Sequence, residues 1–68
     1  MPIILGKRRL EQAIDHPELD KNKGKFLALY PDNSCIAVDN RSGDAWTEYF
    51  DSIKKALDWL NDKYQIQS

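Results

Sequence analysis

Residues 45–64 read AWTEYFDSIKKALDWLNDKY, and a change of period inside this stretch decides the fold. Ala45 to Phe50 alternates as an aromatic strand. From Asp51 or Ser52 onward, Ile53, Ala56, Leu57, Leu60 and Tyr64 recur at i, i+3, i+4, i+7 and i+11. At about 100° per residue these five share one apolar stripe, while Lys54, Asp58, Asn61 and Asp62 point away. The stretch therefore predicts a strand running directly into an amphipathic helix that folds back on a sheet. Ser52, or Asp51 before it, is the expected cap. Lys54 and Lys55, just behind the cap, are unfavourably placed against the helix dipole.

Toward the N-terminus two more strands are legible. In Phe26 to Tyr30, Leu27 and Leu29 occupy one face and Phe26, Ala28 and Tyr30 the other. Cys35 to Asp39 is apolar on both faces. Pro31-Asp32-Asn33-Ser34 has turn chemistry at every position, and Asn40 to Asp44 turns the chain again with Gly43 as the expected left-handed residue. Loops this short join neighbouring antiparallel strands. Arg8 to Asp15 places Leu10, Ala13 and Ile14 on one helical face, and Pro17 ends that helix near Asp15 or His16. Two turns of helix are unstable alone in water, so the segment must dock. Asp20 to Lys25 reads as a loop, and Ile3 to Leu5 as either a short strand or an apolar anchor.

The fold class expected is α+β: a three-stranded antiparallel meander, an amphipathic C-terminal helix packed on one face, and a short N-terminal helix. Residues 1–25 form an N-terminal segment and residues 26–64 a βββα core. The N-terminal helix is expected across an edge or over the second face.

With 68 residues, 41% apolar and 31% charged, the chain has the composition of one folded domain with a small core. Cys35 is alone, whereas small secreted domains usually carry several bridges, so a cytoplasmic location is expected. The apolar run Ile3-Ile4-Leu5 is too short for a signal peptide, and no stretch approaches the roughly 20 apolar residues of a membrane span. Net charge is −1, which argues against a dedicated nucleic-acid binder.

Catalytic and metal-binding patterns are thin. His16 has no second His or Cys nearby and reads as a solvated loop residue. Cys35, at the start of a strand, reads as a small apolar residue. Around Asp20, Asn22 and Gly24 the calcium-loop spacing fails, and Lys21, Lys23 and Lys25 would repel the ion. Gly6, Gly24 and Gly43 fall in no phosphate-binding motif. No catalytic residue, metal or cofactor is expected.

Aromatic and basic residues remain. Tyr30, Tyr49 and Trp59 are the candidates for an exposed partner-binding patch. Lys7, Arg8 and Arg9, together with Lys54 and Lys55, would converge on one side if the chain bound a phosphate backbone.

The order helix, three strands, helix is similar to the double-stranded-RNA-binding domain, and Ser52, Lys54, Lys55 and Ala56 resemble the opening of that domain's second helix. The loop Pro31 to Ser34 is shorter than the one that domain uses to reach a neighbouring groove, and it has no histidine. The segment Phe26 to Leu60 also resembles the arm-binding domains of phage integrases and the HicB-type antitoxin module. These likenesses are of topology, which does not fix function. The function expected is a small non-catalytic cytoplasmic protein-interaction module, binding another protein or a second copy of itself as a homodimer. A nucleic-acid-binding module is the alternative.

Overall fold

Side chains on a strand alternate between two faces, and here each face has its own helix. The structure, a computed structural model, describes residues 3–61; Asp62 and Tyr64 of the helix reading lie outside them. Strand β1 (Ile3–Leu5) is followed by α1 (Lys7–Asp15), β2 (Lys25–Leu29), β3 (Cys35–Asp39), β4 (Trp46–Phe50) and α2 (Ile53–Leu60).

The α+β class holds, but the sheet is not a three-stranded meander. It is four-stranded and mixed, in the order β1-β2-β3-β4, with β1 parallel to β2 and the other pairs antiparallel. Ile3, Ile4 and Leu5 lie beside Lys25, Phe26 and Leu27. That pairing satisfies the outer backbone groups of β2, which would otherwise need other partners. α1 is the crossover that makes the parallel pairing possible. Residues on both sides of position 25 thus contribute to the sheet, since β1 and Lys25 both belong to it.

Only Gly6 separates β1 from α1, and its φ of 135° is one that L side chains rarely adopt. No atom crowds the position, so the need for glycine is conformational. Its N–H donates to the Leu27 carbonyl at 2.9 Å.

Phe26, Ala28, Ile36 and Val38 point to one face and pack with Leu10 and Ala13 of α1. Leu27, Cys35 and Ala37 point to the other and pack with Ala56 and Leu60 of α2. α1 therefore covers the face opposite α2, which explains why β3 is apolar on both sides. The α2 stripe is narrower than its sequence suggests: Ala56 and Leu60 are fully buried, Leu57 is half-buried and Ile53 is exposed. Ser52 caps α2, its hydroxyl accepting from the Lys55 N–H at 3.3 Å. Ion pairs from Lys54 to Asp58 and from Lys55 to Asp51 offset the poor placement of the two lysines against the dipole.

Two buried asparagines tie the loops to this frame. The Asn22 amide nitrogen donates to the Gln12 and His16 carbonyls, which closes the C-terminal end of α1. The Asn40 amide nitrogen donates to the Asn22 carbonyl at 2.7 Å and the Pro17 carbonyl at 3.1 Å, while its oxygen accepts from the Ala45 N–H at 2.9 Å. That last bond holds Ala45 at φ 51°, a left-handed conformation unfavourable for alanine, and sets the angle at which β4 begins. Asn40→Ala removes all three bonds from a site with no exposure. A loss of about 1–3 kcal/mol in urea unfolding is expected, the cost of leaving buried polar groups unpaired.

Candidate functional site

β4 is the least covered element of the sheet, and its surroundings explain why. α1 packs against β1, β2 and β3 but makes no contact with β4. α2 starts beside Phe50 and crosses over β3, with Leu60 packing in the same cluster as Leu27 of β2. It therefore leads away from the beginning of β4. Trp46 is 65% exposed on the α2 side and Tyr49 73% exposed on the α1 side. Thr47 and Glu48 are exposed as well, and Phe50 alone is half-buried.

The backbone of β4 is open too. Gly24 and Asn40 exchange both hydrogen bonds, N to O at 3.3 and 2.7 Å. In an antiparallel ladder the residues with this pairing recur every second position. Counting from Asn40, Val38 and Ile36 also turn their backbone groups to β2, so Asp39, Ala37 and Cys35 turn theirs to β4. Their partners are Trp46, Glu48 and Phe50. The N–H and C=O of Thr47 and Tyr49 consequently point outward, along an edge with no neighbouring strand among the described residues. Natural edges are commonly blunted by lysine, proline or a bulge. β4 has none of these: its sequence is WTEYF and its register with β3 is uninterrupted.

The aromatic candidates do not form one patch. Tyr30 is half-buried against the α1-side core. Trp59 is half-buried on the α2 side, its ring 5.8 Å from that of Phe50. Tyr49 alone stands free, on the face opposite Trp59. Trp46 is comparably exposed but lies on the other face, the one α2 packs on. Its alternation with Phe50 gave the right face, whereas its exposure depends on the direction of the helix axis.

The basic residues do not converge either. Lys7, Arg8 and Arg9 are carried by α1 and Lys54 and Lys55 by α2, on opposite faces of the sheet. Arg9 donates to the Lys21 carbonyl at 2.8 Å and its guanidinium lies 5.9 Å from the Phe26 ring centre, a packing role. Cys35 is buried, and its Sγ donates to the Ser52 carbonyl at 3.4 Å. Burial, and secondarily the charge of Asp51, pushes its thiol pKa up. This is core chemistry, the reverse of an activated nucleophile. The His16 ring is solvated beside Glu18. Among the described residues no cluster of His, Cys, Asp or Glu could hold a metal ion, and no helix is long and apolar enough to cross a membrane.

Beside Trp46, its register partner Asp39 receives two hydrogen bonds from the Arg41 guanidinium, at 2.9 and 2.6 Å. These bonds, helped by the charges of Arg41 and Lys25, hold the Asp39 carboxyl below its ordinary value of 3.8. Because the folded pKa is depressed, the stabilisation is present above the unfolded value and is lost as pH falls through the folded one. Asp39→Asn should lower stability at pH 7 by up to about 1 kcal/mol. The gap from the parent should narrow as urea midpoints are followed down below pH 4; a constant gap would show that the carboxylate charge is not involved.

No protein-family model matches this sequence, and no curated protein or solved structure is similar enough to it to inform the reading.

Proposed function

We propose that this chain is a small non-catalytic protein-interaction module that receives another protein along β4. The supporting observation is that one strand combines two largely exposed aromatic side chains with a backbone edge that no described strand pairs and no lysine, proline or bulge blunts. Exposed Trp and Tyr of this kind serve as anchors in protein interfaces because they bring large contact area at small entropic cost. The lack of a paired nucleophile and base in the sequence favours binding over catalysis, and the lone buried cysteine suits a reducing, cytoplasmic setting. The nucleic-acid alternative draws less support. Its basic residues occupy opposite faces, and Lys54 and Lys55 are engaged with Asp58 and Asp51.

Trp46→Ala and Tyr49→Ala are expected to leave stability within about 0.5 kcal/mol of the parent, since neither side chain is buried. Each should abolish recovery of the protein that co-purifies with the tagged parent from its own host. Retention of that protein by both variants would refute the placement on β4. Its loss in Lys7→Ala together with Arg8→Ala, or salt-sensitive binding of duplex RNA or DNA, would favour the alternative.

A further inference from the structure

We infer that the segment β4 receives is basic and extended, and that it adds to the sheet as a fifth strand. This rests on the interaction reading above and names the chemistry of the partner.

The geometry of the edge comes first. Thr47 and Tyr49 offer two N–H and two C=O groups to a strand laid alongside, which is how sheet edges capture extended peptides. Among the described residues nothing stands in the way. Ala45, the next outward position, already has its N–H on the Asn40 side chain and its carbonyl on the Thr47 hydroxyl. The usable edge is therefore two residues long and ends cleanly at its start.

Charge selects the occupant. From Asp44 to Asp51 the chain has three acidic residues and no basic one. Asp51 is held by Lys55, at 3.0 Å. Glu48 lies at the centre of the strand and makes no hydrogen bond or ion pair among the described residues. Its side chain is on the α2 side, on the same face as Trp46 and Phe50. A Lys or Arg opposite Glu48 would meet the carboxylate directly and could lie over the Trp46 ring. Residues opposite Thr47 and Tyr49 would fall on the other face, where apolar or aromatic side chains pair well. The pattern that fits is basic and apolar in alternation.

A second copy of this chain fits less well. A two-fold pair must be antiparallel, and the register joining all four outward groups sets Thr47 of each copy against Tyr49 of the other. That register places Glu48 directly opposite Glu48. Like charges so placed repel, and shifting the register by two residues forfeits part of the bonding.

The test uses the full chain and two capped pentapeptides, Lys-Val-Lys-Val-Lys and Glu-Val-Glu-Val-Glu, titrated under NMR observation at low salt. The lysine peptide should give saturable shifts centred on the Thr47 and Tyr49 amides. Its affinity should exceed that of the glutamate peptide by up to about fivefold for each facing charge pair. Glu48→Lys should reverse the preference. Thr47→Pro removes an outward N–H that is not part of the existing ladder, so it should weaken binding while the fold is retained. Equal affinities, shifts centred elsewhere, or no saturable shift would overturn the inference. So would a dimer at neutral pH that Thr47→Pro dissolves, since the edge would then belong to a second copy. If the peptides fail but Trp46→Ala and Tyr49→Ala still lose the host partner, the interaction reading survives and strand addition does not.

Discussion

Phe26→Ala is expected to cost about 3–5 kcal/mol, the largest effect of any single truncation in this chain. Phe26 has no exposed surface and is the largest fully buried side chain. It forms the centre of the α1-side core with Leu10, Ala13, Ala28, Ile36 and Val38, and the Arg9 guanidinium lies over its ring. Replacement opens a cavity that the backbone of two neighbouring strands cannot close, so the loss includes contacts as well as transfer free energy. A domain of this size has only about 3–10 kcal/mol in total. The variant should therefore lose a large share of its stability, read as a strongly lowered urea midpoint by circular dichroism. A cooperative transition with a loss below about 1.5 kcal/mol would mean that α1 is not packed on this face.

Leu60→Ala should follow, at about 2–5 kcal/mol, and Leu57→Ala should cost clearly less. Equal losses are the natural expectation from helical spacing alone, since both leucines fall on the stripe. Leu60 is completely buried against the sheet, however, and Leu57 only half-buried. The ranking, read from urea midpoints with unchanged m-values, reports the rotation of α2 about its axis. A greater loss for Leu57→Ala would require a different facing of the helix.

Which parts of this architecture could be read in advance follows from what periodicity carries. The bounds of β3 emerge as Cys35–Asp39, as its apolar run between two turn clusters indicates. Ser52 caps α2, and the alternation of β2 and β3 correctly assigns the two faces. β1 was ambiguous because three apolar residues have no period, and its pairing depends on a crossover of some twenty residues. Gly43 was identifiable as a left-handed position, whereas Ala45 at φ 51° was not, because only the distant Asn40 side chain makes that conformation tolerable. Asn22 and Asn40 looked like ordinary turn residues. Their amides instead organise the loop end of the molecule, which composition does not reveal.

The candidate site divides in the same way. Tyr49 was legible because its face follows from the alternation of β4. Tyr30 and Trp59 are half-covered instead, one beside the α1-side core and the other against Phe50. Trp46 shares the helix side with Phe50 by the same alternation, yet it is largely exposed there. How far a helix shelters a strand depends on its axis and its length, neither of which is contained in a pattern of apolar positions. Basic residues on separate helices could be imagined together until the helices were found on opposite faces.

The open edge of β4 is what the functional account depends on, and amide hydrogen exchange of the isolated chain measures it directly. Alternation is the expected result: slow exchange at Trp46, Glu48 and Phe50, whose backbone groups pair with β3, and fast exchange at Thr47 and Tyr49. Uniform protection across all five amides would show that the edge is already covered, and would contradict the account.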